Sequence, residues 1–184
     1  MAIFENKNNT FLKMKIAELF ADKNLKPKAK TEMLCKMLVE KSISIDELIA
    51  FAQTAKDPIK ATCIESLEFA TKQNPSFGNE KCWQFAIENL TAKSPRIKWE
   101  SAKVVGNIAH LFSKKLDKAI TNLLINAQHE GTVVRWSAAF ALGEIVKLKS
   151  KHNADLIRAI ENICHHEEKN SIKKIYQAAL KKTK

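Results

Sequence analysis

The densest run of metal-ligating side chains in this sequence is Cys164-His165-His166-Glu167-Glu168, and His129 stands 37 positions before His166. A metal site needs three or four such groups converging at about 2 Å. Adjacent residues on one helical turn point apart, and equivalent turns of a repeat lie too far from each other, so the run predicts no metal centre. Cys35, Cys63, Cys82 and Cys164 are scattered without a Cys-x-x-Cys pair. Each lies inside a helical pattern, which predicts buried reduced thiols rather than disulfides or zinc. A Gly-rich phosphate loop, a His-Glu-x-x-His motif and a nucleophile elbow are all missing. The chain is therefore read as non-catalytic, with no cofactor and no small-molecule substrate.

Chemistry of another kind is written in aromatic and cationic side chains that recur. RIKWESAKVVGNIA at 96–109 returns as VVRWSAAFALGEIV at 133–146, so that Trp136 repeats Trp99, Ala139 repeats Ala102, Gly143 repeats Gly106 and Ile145 repeats Ile108. Four matches at one offset of 37 point to a repeated helix. Aromatic anchors of this kind dominate interface energetics, and Trp also stacks nucleobases.

The elements that carry these residues follow from composition and period. The 184 residues are 45% hydrophobic and 28% charged, with only four Gly and four Pro, a balance that favours helix throughout. TAKDP at 54–58 returns as TAKSP at 91–95, and Ile59-Lys60, Ile97-Lys98, Val134-Arg135 and Ile172-Lys173 form a series spaced by 38, 37 and 38. First helices with apolar residues at intervals of three and four are predicted over 44–55, 79–92, 116–130 and 153–166, with Ser44 and Asn153 as N-caps. Segments 11–21 and 28–40 make a less regular opening hairpin. The prediction is an all-α solenoid of five helical hairpins, approximately 5–42, 44–73, 78–112, 115–149 and 153–183, forming one domain over 1–184.

Val134-Arg135-Trp136-Ser137-Ala138-Ala139-Phe140-Ala141-Leu142-Gly143-Glu144-Ile145 resembles the HEAT-repeat family in the variant written Val-Arg-x-x-Ala-x-x-Ala-Leu-Gly-x-Ile, which the bilin-lyase-like proteins share. The resemblance is strong over 131–148 and clear over 95–112; helices 58–72 and 170–182 keep the period without the Gly. It implies an armadillo-like superhelix whose second helices line a concave face. More distantly the chain resembles the HEAT-like DNA glycosylases of alkylation repair in architecture, but Asp22, Asp46, Asp57, Asp117 and Asp155 all fall in first helices or connecting turns, away from the Trp-bearing stripe.

A helical wheel over 134–148 places Val134, Ala138, Ala141, Leu142, Ile145 and Leu148 on one apolar arc and Trp136, Phe140, Gly143 and Lys147 opposite. The same wheel over 97–111 puts Trp99, Lys103, Gly106 and His110 on that opposite side. Two accounts remain open for this stripe: a ligand-facing surface, or aromatic packing over a neighbouring repeat. Gly inside a helix costs about 1 kcal/mol relative to Ala, so something approaches each helix closely at Gly106 and Gly143.

Lys60, Lys98, Arg135 and Lys173 place one cation near the start of each second helix. The resemblance implies an Asp six residues earlier as partner, but those positions hold Thr54, Ala92, His129 and Glu167. Cations at a helix N-terminus oppose its dipole, which leaves an anion-binding row and solvated lysine stems as the two readings. A further set, Lys114, Lys115 and Lys118, then Lys147, Lys149 and Lys151, then Lys181, Lys182 and Lys184, falls in successive turns that stacking would align into one basic edge.

The formal net charge is +11. Residues 1–92 hold 13 Lys plus Arg against 12 Asp plus Glu, whereas 93–184 hold 18 against 8. The excess in the second half predicts an anionic partner. An acidic protein is preferred over nucleic acid, because only three of the 31 cations are Arg. The opening MAIFENKNNTFLK carries charges and amides where a secretory signal has an apolar run, and no stretch suits a membrane span, so a cytoplasmic location without membrane attachment is expected. The expected function is a scaffold that binds an acidic protein partner through Lys98, Trp99, Lys103, His110, Arg135, Trp136, Phe140, Lys147 and Lys173; the alternative is a nucleic-acid-binding solenoid.

Overall fold

A computed structural model describes residues 16–183. Residues 11–15 of the expected first helix and Lys184 of the basic edge lie outside them. Among the described residues there are ten α-helices and no strand. They are α1 (16–21), α2 (Pro27–Val39), α3 (Ile45–Thr54), α4 (Asp57–Gln73), α5 (Glu80–Asn89), α6 (Pro95–Ile108), α7 (Asp117–Asn126), α8 (Thr132–Val146), α9 (Asn153–His166) and α10 (Asn170–Lys181). Packing divides the chain into two compact units, Met1–Cys82 and Trp83–Lys184.

Local chemistry sets the helix ends. The Ser44 hydroxyl accepts from the Glu47 amide while the Glu47 carboxylate accepts from the Ser44 amide, a reciprocal cap at the start of α3. Pro27, Pro58 and Pro95 open α2, α4 and α6, where the missing N–H costs nothing. Asn153, expected to cap α9, does not: it is the first helical residue, and its side-chain amide donates instead to the Val146 carbonyl at the end of α8, 2.8 Å away. Helix α6 stops at Ile108 and continues as a 3-10 turn over Ala109–Phe112, so His110 leaves the helical face assigned to it and stands exposed.

In the unit Met1–Cys82, α4 packs on α2 and α3 around buried Leu34, Leu38, Leu48, Ile64 and Leu67. Phe20 stacks on Phe51 at 5.8 Å. In the unit Trp83–Lys184, α8 is flanked by α6 on one side and α10 on the other, with α7 and α9 against its inner surface. The core here includes Trp83, stacked on Phe112 at 4.9 Å, with Leu90, Val104, Ile108, Leu142, Ile145 and Tyr176.

The close approach signalled by the two glycines is internal. A methyl at Gly106 would meet the Phe140 ring at 2.5 Å and the Ala141 Cα at 3.2 Å, and one at Gly143 would meet the Ala179 methyl at 3.2 Å. Gly143 is therefore buried against α10, not on the open side where the wheel placed it. We expect Gly106→Ala to cost about 1 to 2 kcal/mol, overpacking outweighing the gain in helix propensity. Gly143→Ala, facing only another methyl, should stay within about 0.5 kcal/mol of the parent. Urea unfolding midpoints check both, and Phe140→Leu should lessen the cost of Gly106→Ala.

Candidate functional site

The open surface of the unit Trp83–Lys184 is built on α8. Val134, Ser137, Ala138, Ala139, Ala141, Leu142, Gly143, Ile145 and Val146 are all buried; Val133, Trp136, Phe140 and Lys147 are not, nor are Thr132, Arg135 and Glu144. Val133 and Trp136 are exposed, Trp136 by 40%. The Trp136 and Phe140 rings stack at 6.2 Å, 9° from parallel. Phe140 is half-buried because its other face covers Gly106. The stripe thus divides: Phe140 packs over the neighbouring repeat, and Trp136 is exposed. Lys147 is half-buried and pairs with Glu144 one turn earlier.

On α6 the equivalent Trp99 is half-buried, and its indole N–H donates to the Glu100 carboxylate at 2.6 Å. The Lys103 ammonium donates to the other Glu100 oxygen at 2.9 Å. Glu100 is 4% exposed, so one buried carboxylate orients both residues assigned to the stripe. On α10, Lys173 is half-buried and carries no ion pair among the described residues.

The cation series resolves into internal contacts at two of its members. Lys98 donates to the Leu90 carbonyl at 3.2 Å and to the Asn126 side-chain oxygen at 3.1 Å. Burial pushes its ammonium pKa down. Arg135 donates through Nη1 to the His129 and Glu130 carbonyls, each at 2.9 Å, and through Nε and Nη2 to the two Glu167 oxygens at 2.9 and 3.3 Å. Each cation thus folds back from the start of its own helix to the carbonyl end of the preceding one, where the dipole favours it. Glu167, the single acid at its place in the series, is claimed by Arg135 of the preceding repeat rather than by Lys173. Lys98 and Arg135 are thus engaged within the fold rather than standing as an unpartnered row.

The other ligand-type residues do not converge: among the described residues no three His, Cys, Asp or Glu side chains could share an ion. The Cys164 thiol points at the Lys173 carbonyl, and His166 Nδ1 lies 2.9 Å from the Asn162 carbonyl. Cys63 and Cys82 are buried thiols pushed up to about 12 by desolvation.

Three features escaped the sequence reading. Asn122 and Asn126, buried on α7, donate to the Ile87 and Leu90 carbonyls and tie α7 to α5; polar residues four apart inside an apolar pattern were the signal. A depression of about 540 Å³ opens between the turns after α6 and α8, lined by Ser113, Lys114, Leu148, Lys149, Ser150 and Lys151. In the unit Met1–Cys82, a groove of about 600 Å³ between α2 and α4 is lined by exposed Val39 and Phe69 together with the ion pairs Lys28–Glu32 and Lys36–Glu40.

No family model matches the chain, and no curated protein matches it. Solved structures do. A crystal structure of an engineered protein superposes with a TM-score of 0.68 at 18% identity, over 92% of this chain and 80% of that one. A designed armadillo repeat protein in complex with the peptide (KR)4 gives 0.64 at 16% identity, over 84% of this chain and 69% of that one. A computationally designed armadillo repeat protein for modular peptide recognition gives 0.63 at 15%, over 92% and 81%. At these identities the likeness defines the fold: an armadillo-like helical-repeat solenoid.

The Arg135–Glu167 pair has a testable pH signature. Burial alone would raise the Glu167 carboxyl, but hydrogen bonds from Arg135 and from the Lys169 and Glu168 amides hold it below its ordinary value of 4.5. A depressed carboxylate stabilises the fold above that ordinary value, and its contribution disappears as pH falls through the folded value. Glu167→Gln should therefore cost about 3 kcal/mol at pH 7, because it strands a largely buried guanidinium. The gap to the parent protein should close below pH 4.5. Chemical unfolding from pH 7 to 3 measures it, and a gap independent of pH would contradict the assignment.

Proposed function

We propose that this protein is a non-catalytic repeat scaffold that binds an extended acidic segment of a protein partner along the second helices of its C-terminal repeats. The observation that carries the reading is the strip on α8. Val133, Trp136 and Phe140 recur at helical spacing, and two of them form a stacked aromatic pair on a surface that is otherwise buried by its neighbours. A rigid, partly desolvated aromatic pair is the kind of anchor that dominates binding energy.

Charge selects the sign of the partner. Residues 83–184 hold 18 Lys plus Arg against 9 Asp plus Glu. Designed repeats of the same fold hold peptides, and the peptide in one of them, (KR)4, is basic. The balance of this unit is positive, as that peptide is, and suits an Asp- and Glu-rich chain instead. A sequence-reading nucleic-acid ligand is disfavoured because bidentate contacts to base edges call for Arg, and Arg135 and Arg158 are paired with Glu167 and Asp155.

The test is a fluorescence titration with twelve-residue peptides that alternate Asp or Glu with apolar residues around one central Leu. Trp83 is first replaced by Phe, since its buried indole would contribute a constant background. Trp136→Ala should weaken binding by about tenfold or more. Its unfolding free energy should shift by only about 0.5 kcal/mol, as expected for an exposed truncation. Trp99→Ala should instead destabilise, because Glu100 loses a hydrogen-bond donor inside the fold. Duplex DNA that binds with a steep salt dependence while these peptides do not would overturn the proposal.

A further inference from the structure

We propose that the depression between the turns after α6 and α8 is a pocket for a phosphate monoester carried by the partner segment. This deepens the reading above and depends on it only for what carries the phosphate. The pocket holds about 540 Å³, and the residues that line it include three lysines, Lys114, Lys149 and Lys151, and two serines, Ser113 and Ser150, with no acid among them. Lys114 and Lys149 form no ion pair among the described residues, and Lys151 reaches only Asp117, at 4.0 Å with both side chains largely in solvent. The Ser150 hydroxyl accepts from the His152 amide at 3.3 Å, which leaves its own hydrogen to donate.

Lys149 also occupies an unusual backbone position. Its φ is 50°, the left-handed conformation that follows many helices and is normally taken by Gly. A lysine here puts a cationic residue in the lining of the pocket. The dipoles of α6 and α8 favour one cation per turn. They do not account for two facing turns that contribute lysines and hydroxyls to one concavity free of acids.

Phosphate fits this lining better than carboxylate does. A phosphate monoester carries about −1.5 to −2 charge at pH 7 and three acceptor oxygens, against a single charge and two oxygens on Asp or Glu. Lysine serves phosphate as a point charge and needs no bidentate geometry. Nucleic acid would require a run of such contacts, and this is one open concavity. A membrane would require an apolar group free to insert, and Leu148, the single apolar lining residue, is half-buried. A phosphorylated peptide is favoured by position as well: the strip from Val133 to Lys147 leads along α8 to Leu148 and Lys149, so a chain laid on it arrives at the pocket.

The experiment titrates the full chain, labelled with 15N, with an acidic peptide bearing phosphoserine, the same peptide with Ser, the same with Glu, and inorganic phosphate. The phosphopeptide should bind about tenfold tighter than the Ser form, with the Glu form between them. Amide shifts should gather at Ser113, Lys114, Lys149 and Ser150. The combined variant Lys114→Gln, Lys149→Gln and Lys151→Gln should erase that advantage and leave affinity for the Ser peptide within about twofold, with an unchanged melting temperature as the folding control. Equal affinity for the Ser and phosphoserine peptides, an advantage that survives the triple substitution, or shifts at these amides from duplex DNA alone would each overturn the pocket. If no peptide binds, the acidic-segment reading fails separately. Inorganic phosphate then decides the pocket: shifts at the four amides that vanish in the triple variant uphold it, and their absence overturns it.

Discussion

The close approach of α6, α8 and α10 is the constraint from which the rest of the C-terminal unit follows. At Gly106 and Gly143 the helices meet against Ala141, Ala179, Ile175 and the Phe140 ring, a spacing that even a methyl at Gly106 would disturb. Glycine inside a helix lowers its propensity, and the return is dense packing on both flanks of α8. Because those flanks are closed, what α8 can show to solvent is narrowed to one strip. The aromatic pair stands where it does because there is nowhere else on the helix for it to be exposed.

The same closeness governs the charges. A cation at the start of each second helix would oppose that helix's dipole if it stayed there. Lys98 and Arg135 avoid this by reaching back to the carbonyl ends of α5 and α7, and Arg135 extends further to Glu167 in the next repeat. At the opposite ends, in the turns after α6 and α8, Lys114 and Lys149 carry no ion pair among the described residues, and Lys151 reaches Asp117 only at 4.0 Å. Electrostatics therefore sorts one basic sequence into an inward set that fastens repeat to repeat and an outward set gathered at one edge.

Much of this was legible in the sequence because repetition is a strong signal: every second helix begins within about a residue or two of where the Ile-Lys series places it. The glycines announced a close contact without naming its other party. The wheel misled at Gly143 because a single apolar arc describes a helix packed on one side, whereas α8 lies between two neighbours and is buried on both. Asn153 misled because an Asn at a helix start reads as its cap, while here its side-chain amide reaches the Val146 carbonyl at the end of the preceding helix. The Arg135–Glu167 pair was out of view because the acid lies in the following repeat, and an offset of 32 residues is not one that a motif of a single hairpin displays.

The echoed tryptophans show how a repeated position acquires different roles. Trp99 and Trp136 occupy the same place in successive helices, and what separates them are the residues one and four positions later. After Trp99 comes Glu100, a buried carboxylate that accepts from the indole, and then Lys103, which shares that carboxylate. After Trp136 comes Ser137, whose hydroxyl turns back to the Val134 carbonyl and offers the indole nothing, and then Phe140, whose ring lies parallel to it. A hydrogen-bonded indole is held into the fold; a stacked one is held flat and left open. Two substitutions on a common template thus convert a packing residue into an exposed aromatic platform. The surface arises in α8 because its polar partners have been replaced there, while the backbone contact through the glycine has been kept.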